Sequence, residues 1–555
     1  MTDQIAEITA GYTFEEASIE LGVLMVDGAP HPDTKIRIPL GMLNRHGVIA
    51  GATGTGKTKT LQLIAEQIAA AGVPVFAADI KGDLSGLASP GTPSDKLTAR
   101  TQKIGQQWEP HGFPVEFYAL GGQGQGVPLR CTMTAFGPTL LSRVLGLSDV
   151  QESSLGLVFH YADINGLPLL DIADLRAVLT HLSSDEGKAE LKGIGGLSSA
   201  TVGVLLRELI GFADQGADLF FGEPEFETTD FLRTTSDGRG VISLLELPNL
   251  QDRPALFSTF LMWLLADLFH DLPEVGDVDK PKLVFFFDEA HLLFADASKE
   301  FLQSIAQTVR LIRSKGVGIF FVTQTPTDIP DDVLAQLGSR VQHQLRAHTP
   351  NDAKALKQTV NTYPKSAYDL GEVLQSLGIG EAIVTVMDPD GAPTPVAWTR
   401  MRAPESLMGP TPADVLGPGI QASSMMRKYG QEINRESAQE ILADKLEEGA
   451  RNALEQEQMA AQQKAEAAAA KEAEKQAARD QRAADAEAAR QRRAAEQEAA
   501  RQQREAEKEE ARREREQRNK KSVIEEVAGS SVFKQFMRSA GREVVRGIFG
   551  TARRR

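Results

Sequence analysis

The amino-acid sequence predicts an α/β protein: a largely parallel sheet carrying a phosphate loop, interrupted by a helical insertion and followed by a long helical tail. Three observations predict it. Gly51-Ala52-Thr53-Gly54-Thr55-Gly56-Lys57-Thr58 fits the pattern G-x-x-x-x-G-K-[ST] at every fixed position. About 230 residues further on, the apolar run Leu283-Val284-Phe285-Phe286-Phe287 ends in Asp288-Glu289. From 436 to 520 the chain has no proline, a lone glycine (Gly449), and mostly Ala, Glu, Gln, Lys and Arg.

The totals bound the problem. A chain of 555 residues that is 41% hydrophobic can bury a large core. Its one cysteine, Cys131, excludes an intramolecular disulfide and fits a reducing compartment. Residues 1–7 lack the basic and apolar parts of a signal peptide. The run 256–269 is too short to span a bilayer and contains Asp267, so a cytoplasmic location is expected. The net charge of −16 is unevenly placed. Residues 431–555 hold 27 Lys/Arg against 25 Asp/Glu, leaving 33 against 51 in residues 1–430. So acidic a globular part repels polyanions over most of its surface, which leaves room only for a narrow basic channel.

Residues 1–45 read as a short N-terminal β segment, with strands near 18–26 and 35–40 around the turn Asp27-Gly28. The core, 46–400, opens with the buried strand His46-Gly47-Val48-Ile49-Ala50. After the loop, Leu61, Ile64, Ala65 and Ile68 recur at helical spacing. Strand, glycine loop and helix is the arrangement that lets backbone N–H groups close on phosphates at a helix N-terminus. The nucleotide-binding set is therefore Gly51, Ala52, Thr53, Gly54, Thr55, Gly56, Lys57 and Thr58, with Thr60 one helical step on. Lys57 reaches the β- and γ-phosphates of ATP, and the Thr58 hydroxyl ligates Mg²⁺.

A second strand, 73–78, ends in Asp79-Ile80-Lys81-Gly82-Asp83. Its carboxylates either hold Mg²⁺ waters or tune the base, or they make ordinary turn hydrogen bonds. A third strand, 115–120, runs into the glycine cluster 121–126, which lacks a following helix and reads as a loop. Between about 137 and 235 apolar residues recur at helical spacing, as in Val202, Leu205, Leu206 and Leu209, and mark an insertion.

The core resumes with a strand at 240–247 and an apolar helix from about 254 to 269. Strand 282–287 then delivers Asp288 to the Mg²⁺ shell and sets Glu289 to take a proton from the attacking water. Two adjacent carboxylates would be costly in a mere core. His291 either packs at a helix start or links to Glu289. A helix at 298–312 carries Arg310 and is followed by Arg313. The strand after it, 316–323, ends at Gln324, which either senses the γ-phosphate or bonds the backbone. Later strands fall at 341–346, 381–386 and 396–398. Arg340 and Arg346, near strand ends, are surface charges or phosphate-facing groups.

Residues 401–430, with four prolines and several glycines, read as a linker. Residues 431–520 read as one charged, Ala-rich helix, solvated or weakly coiled. In 521–555, Phe533, Phe536, Met537, Val544 and Ile548 share a helical face beside Lys534, Arg538, Arg542 and Arg546. Such a helix suits an anionic membrane surface, a partner groove or nucleic acid, or it docks on its own protein or on a symmetry mate.

These motifs together resemble the HerA/FtsK branch of P-loop ATPases, and within it the bacterial HerA-like helicase proteins. The resemblance rests on Gly51-Ala-Thr-Gly-Thr-Gly-Lys-Thr58, Asp79-Ile-Lys-Gly-Asp83, Phe287-Asp-Glu-Ala-His291, and Gly316-Val-Gly318 with Thr323-Gln-Thr-Pro326. It covers about residues 15–400. It implies a RecA-like P-loop NTPase core that assembles as a homo-oligomer, with a hexamer favoured, and that acts on DNA. It also implies an arginine acting in the neighbouring subunit's site; Arg313 matches that position best, with Arg310 second. HerA proteins carry a β-barrel ahead of the loop, whereas about 45 residues precede it here. The expected site is thus Lys57, Glu289, Gln324 and Arg313 for catalysis, with Thr58 and Asp288 on Mg²⁺. A protein or membrane-surface partner held by the tail is the alternative to DNA.

Overall fold

A computed structural model describes residues 2–120, 124–191, 195–247, 254–276, 278–294 and 299–518. Twelve strands among them form one sheet: β1 (Ser18–Val26), β2 (Ala29–Pro39), β3 (Gly47–Ala50), β4 (Val75–Asp79), β5 (Val115–Leu120), β6 (Val127–Leu129), β7 (Ile242–Glu246), β8 (Leu283–Phe287), β9 (Val317–Thr323), β10 (Ser339–Gln342), β11 (Glu381–Thr385) and β12 (Ala397–Met401). Their order is β2-β1-β12-β11-β10-β3-β9-β8-β4-β7-β5-β6. From β10 to β6 each pairing is parallel. From β10 back to β2 each is antiparallel.

Strands β3 and β8, in the middle of the parallel half, hold only apolar residues and glycine because helices cover both faces. In β8, Leu283, Phe285 and Phe287 enter one core while Val284 and Phe286 enter the other. The phosphate-loop helix, Lys57–Ala70, buries Leu61, Leu63, Ile64 and Ile68 against the second. The first core takes the apolar helix Pro254–Asp271 and the insertion. That insertion comprises helices Met133–Val144, Asp149–Ile164, Ile172–Ser183, Asp185–Leu191 and Ser199–Asp214. Its Leu155, Val178 and Leu205 share one continuous cluster with Phe260 and Phe285, so it is built into one face of the sheet.

Three expectations need correcting. The N-terminal β segment is preceded by a helix, Thr2–Gly11, after which the Tyr12 hydroxyl donates to the carbonyls of Val384 and Pro395, both at 3.0 Å. The strand expected at 341–346 ends at Gln342, where the chain turns inward after His343 N donates to Ala50 O at 2.7 Å. Residues 401–430 are not a free linker. They form helices Ala413–Ala422 and Ser424–Tyr429, with Tyr429 buried and Thr411 bonded to the Ser85 carbonyl at 2.6 Å. Pro412 caps the first of these helices and Pro418 lies inside it.

The long tail is one helix, Ala438–Arg518, which at about 1.5 Å per residue is roughly 120 Å long. Ala438 and Leu442 are buried, and 443–513 are exposed throughout. Ala, Glu, Lys, Gln and Arg are strong helix formers, so the segment needs little packing. The basic amphipathic stretch 521–555 and part of the glycine cluster, 121–123, lie outside the described residues.

Candidate functional site

Parallel strands put all their C-terminal ends on one edge, where ligands of open α/β sheets bind. Ala50 of β3 is level with Thr323 of β9, Phe321 with Phe287 of β8, and Phe287 with Ala78 of β4. Gly51, Gln324, Asp288 and Lys81 therefore emerge side by side from four adjacent strands, with β9 between the loop strand and the carboxylate strand.

The loop is shaped by glycine. Gly51, Gly54 and Gly56 have φ of 155°, 80° and 119°. At Gly51 a Cβ would also come within 2.5 Å of His343 Cβ. Gly51 N points to the carbonyls of Thr323 and Gln324 at 3.3 and 3.2 Å, and Ala52 N to Gln344 O at 2.8 Å. The Thr55 hydroxyl closes the turn on Ala52 O at 2.7 Å. Lys57 begins the helix, where the free N–H groups of the first turn favour an anion. Its Nζ donates back to Gly51 O at 2.7 Å. Burial lowers the Lys57 pKa, against the pull of the nearby Glu289 carboxylate.

Thr58 is half-buried, and its hydroxyl makes no hydrogen bond among the described residues. Thr60 is placed differently from the expectation. It is buried, and its hydroxyl lies 2.9 Å from His343 Nε2. A second support comes from Gly380, whose N–H donates to Thr55 O at 3.0 Å, while Arg100 holds the Gly380 carbonyl at 2.9 Å.

Asp288 and Glu289 follow β8 directly. Asp288 is buried; its Oδ1 accepts the Glu289 N–H at 2.9 Å, and its Oδ2 has no protein partner. Burial, then the Glu289 charge, raises the Asp288 pKa to about 7. Glu289 adopts φ 47°, a left-handed conformation uncommon outside glycine and typical of functional turns. Its Oε1 is taken by the Lys81 ammonium, and His291 Nδ1 stands 3.2 Å from its Oε2. Burial alone would raise the Glu289 pKa, but the Lys81 hydrogen bond and charge bring it below the ordinary value.

Of the two readings of Asp79, the turn prevails. It is buried and accepts the N–H groups of Lys81, Gly82 and Leu84 at 3.1, 2.7 and 2.7 Å. Gln324 is exposed at the end of β9, and its carbonyl, not its amide, contacts the loop. Arg340 bonds Thr362 O at 3.0 Å and stacks over Tyr363, so it is structural, while Arg346 is exposed. Arg313 lies in the 3₁₀ turn Arg313–Lys315 before β9. Seven residues of strand, about 23 Å, separate that edge from its own chain's phosphate loop.

Sequence reasoning missed Lys81, His343 and the Arg100–Gly380 brace. Lys81 stood inside a motif already singled out, as a cation just past a strand end. His343 carried no signal, because only the β10–β3 pairing brings it to Gly51.

Residues 25–488 match the family model described as helicase HerA-like C-terminal. The DNA double-strand break repair helicase HerA of Sulfolobus acidocaldarius is 21% identical over 362 residues, 63% of this chain and 64% of that protein. The protein of the same name from Saccharolobus solfataricus is 21% identical over 355 residues, with the same coverage. The chain thus spans just under two thirds of the length of these relatives. Among solved structures, the bacterial conjugative coupling protein TrwBdeltaN70 aligns with a TM-score of 0.48 at 14% identity, covering 74% of this chain and 95% of that one.

Proposed function

Because the chain belongs to the helicase HerA-like C-terminal family, we propose that it is an ATP-hydrolysing motor that works as an oligomeric ring, favoured as a hexamer, on DNA. The observation that carries this reading is the alignment of Lys57 and Asp288-Glu289 on one sheet edge, either side of β9. Loop amides and Lys57 take the β- and γ-phosphates. Thr58 and Asp288 are the pair that would hold Mg²⁺: Asp288 Oδ2 is a buried carboxylate oxygen without a partner, and a hydrated cation satisfies it. The metal supplies neutralisation of phosphate charge. Glu289 accepts a proton from the water whose oxygen bonds to the γ-phosphorus as the bond to the β-bridging oxygen breaks. Gln324 orients that water.

Arg313 precedes the N-terminal end of β9, the end opposite its own chain's loop, which supports a role in the site of a neighbour. The DNA substrate is carried over from the names of the relatives. The motor is assigned to residues 46–400 and the cell compartment to the cytoplasm; among the described residues no helix is long and apolar enough to cross a membrane.

A second reading has an observation of its own. Residues 1–430 carry 51 acidic against 33 basic residues, which disfavours a polyanion over most of the surface. On that reading the ATPase remodels a protein, or signals, while tethered by its tail to a membrane or a partner. ATPase rates with and without duplex DNA, across a salt series and alongside mass in solution, separate the two. A DNA motor is stimulated, and loses the stimulation as salt rises. Absence of stimulation at low salt, with ATPase intact, favours the second.

A further inference from the structure

The segment Asp79-Ile80-Lys81-Gly82-Asp83 takes no part in the reaction described so far, yet it is built to place one cation. Asp79 Oδ1 receives the N–H groups of Lys81 and Gly82, and Oδ2 that of Leu84. Gly82, at φ 75°, lets the chain fold back. The turn is thereby fixed to the end of β4, the direct neighbour of β8. Since Ala78 is level with Phe287, Lys81 and Glu289 both project just beyond the same edge, and the Lys81 ammonium meets Glu289 Oε1.

That contact conflicts with the work assigned to Glu289. The ammonium takes one of the lone pairs of Oε1, and its positive charge weakens the whole carboxylate as a base. The two partners differ in freedom: the Lys81 side chain is 41% exposed, that of Glu289 only 7%. Release therefore falls to the lysine, a long flexible side chain that can swing without opening the core. Lys57 shows the same habit, its ammonium parked on the carbonyls of Gly51 and Ala52. Both lysines near the carboxylate pair are thus held by protein oxygens that a triphosphate, with its larger negative charge, can outbid.

We propose that Lys81 is a latch on Glu289: it covers the carboxylate in the nucleotide-free protein and transfers to the terminal phosphate of a bound nucleoside triphosphate, which frees Glu289 to face water. This rests on the ATPase reading and names a positioning residue for it. The latch makes hydrolysis wait for a complete triphosphate.

The test uses the full chain, with Lys81→Met, Lys81→Arg, Glu289→Gln and the Lys81→Met/Glu289→Gln double variant. A double-mutant cycle on thermal stability should show coupling between 81 and 289 without nucleotide, and loss of that coupling with a non-hydrolysable ATP analogue and Mg²⁺. Lys81→Met should weaken binding of the analogue tenfold or more, roughly the worth of one charged hydrogen bond, and leave ADP within about twofold. Lys81→Arg should restore most of the difference. Coupling that persists with the analogue bound, or an equal loss for ADP and analogue, overturns the latch while leaving the ATPase reading intact. Wild-type protein that binds neither nucleotide overturns the ATPase reading and the latch with it.

Discussion

His343 Nε2 and the Thr60 hydroxyl lie 2.9 Å apart inside the protein, and the other ring nitrogen, Nδ1, is 2.8 Å from the Glu381 carbonyl. A carbonyl can only accept, so Nδ1 carries the proton and Nε2 accepts from Thr60. The ring thereby ties β11 to the first turn of the phosphate-loop helix, with its Cβ against Gly51. One buried side chain buttresses both ends of the loop.

Replacing it should show in nucleotide binding. His343→Ala strands the Thr60 hydroxyl and the Glu381 carbonyl and opens space beside Gly51, at a cost of about 2–4 kcal/mol. The thermal midpoint should drop, and the rise in midpoint on adding ATP and Mg²⁺ should shrink, because the loop is no longer held in shape. An unchanged nucleotide-induced shift would mean the loop is rigid without the histidine.

The same residue gives a pH signature. Burial pushes the His343 pKa down to about 4, against the help of the Glu381 carbonyl. An unfolded chain takes up that proton first, near the ordinary value of about 6.5. The neutral ring's contribution is therefore full above about 6.5 and is lost as pH falls toward 4. Compared with His343→Gln, which does not titrate, the wild-type advantage in unfolding free energy should narrow by roughly 3 kcal/mol over that window. Denaturant titrations of both proteins between pH 4 and 7.5 measure it. His46, also fully buried with its pKa lowered to about 4, remains in both and cancels.

Period and motif made the parallel half of the sheet legible. Runs such as 283–287 and 317–322 are apolar on both faces and too short for a buried helix, so they read as buried strands. The loop and the Asp288-Glu289 pair were readable for the same reason: each joins a strand end to residues that local chemistry makes specific. What the sequence withheld depends on lateral order. Nothing local says that β9 lies between β3 and β8, that β10 brings His343 to Gly51, or that Lys81 faces Glu289. The 401–430 segment misled because proline and glycine mark turns equally well in a linker and in a packed crossing. There the deciding facts, such as Tyr429 buried against Phe226 at 4.7 Å between ring centroids, are tertiary.

Asp174 is the joint at which the long helix starts. It is buried; Oδ2 accepts the N–H of Leu170 at 2.8 Å, and Oδ1 accepts the Ser437 hydroxyl and the Gln439 N–H at 2.5 and 2.9 Å. One carboxylate thus caps its own helix region and the N-terminus of Ala438–Arg518. Asp174→Ala should cost about 2–3 kcal/mol and speed amide exchange over 438–443, whereas Asp174→Asn, which keeps one acceptor, should cost less. Equal exchange in wild type and Asp174→Ala would assign the anchoring to Leu442 packing instead.

Lys57 and Glu289 should separate binding from chemistry. Lys57→Ala removes the cation of the loop and should abolish both nucleotide binding and turnover. Glu289→Ala should retain binding while turnover drops by a factor of about 10²–10⁴, the usual worth of a positioned general base. Equilibrium binding of a fluorescent ATP analogue, beside steady-state phosphate release, reads both. Near-wild-type turnover in folded Glu289→Ala would remove Glu289 from the mechanism.

Arg313 yields the last prediction, and its logic is geometric. It stands at the N-terminal end of β9, a strand's length from the loop edge of its own chain, so any contribution to hydrolysis has to reach a neighbouring subunit. Lys57→Ala and Arg313→Ala proteins, each inactive alone, should then regain activity when mixed: an interface that joins the intact loop of one to the intact arginine of the other is complete. Random mixing in a ring leaves such interfaces as a minority, so the recovered rate should be about a quarter of wild type at equal proportions if each site acts independently. The variants must exchange subunits, which mass measurement on differently tagged chains verifies. Exchange without recovery would exclude Arg313 as the residue acting between subunits and move the search to Arg310, one helical turn earlier and also exposed.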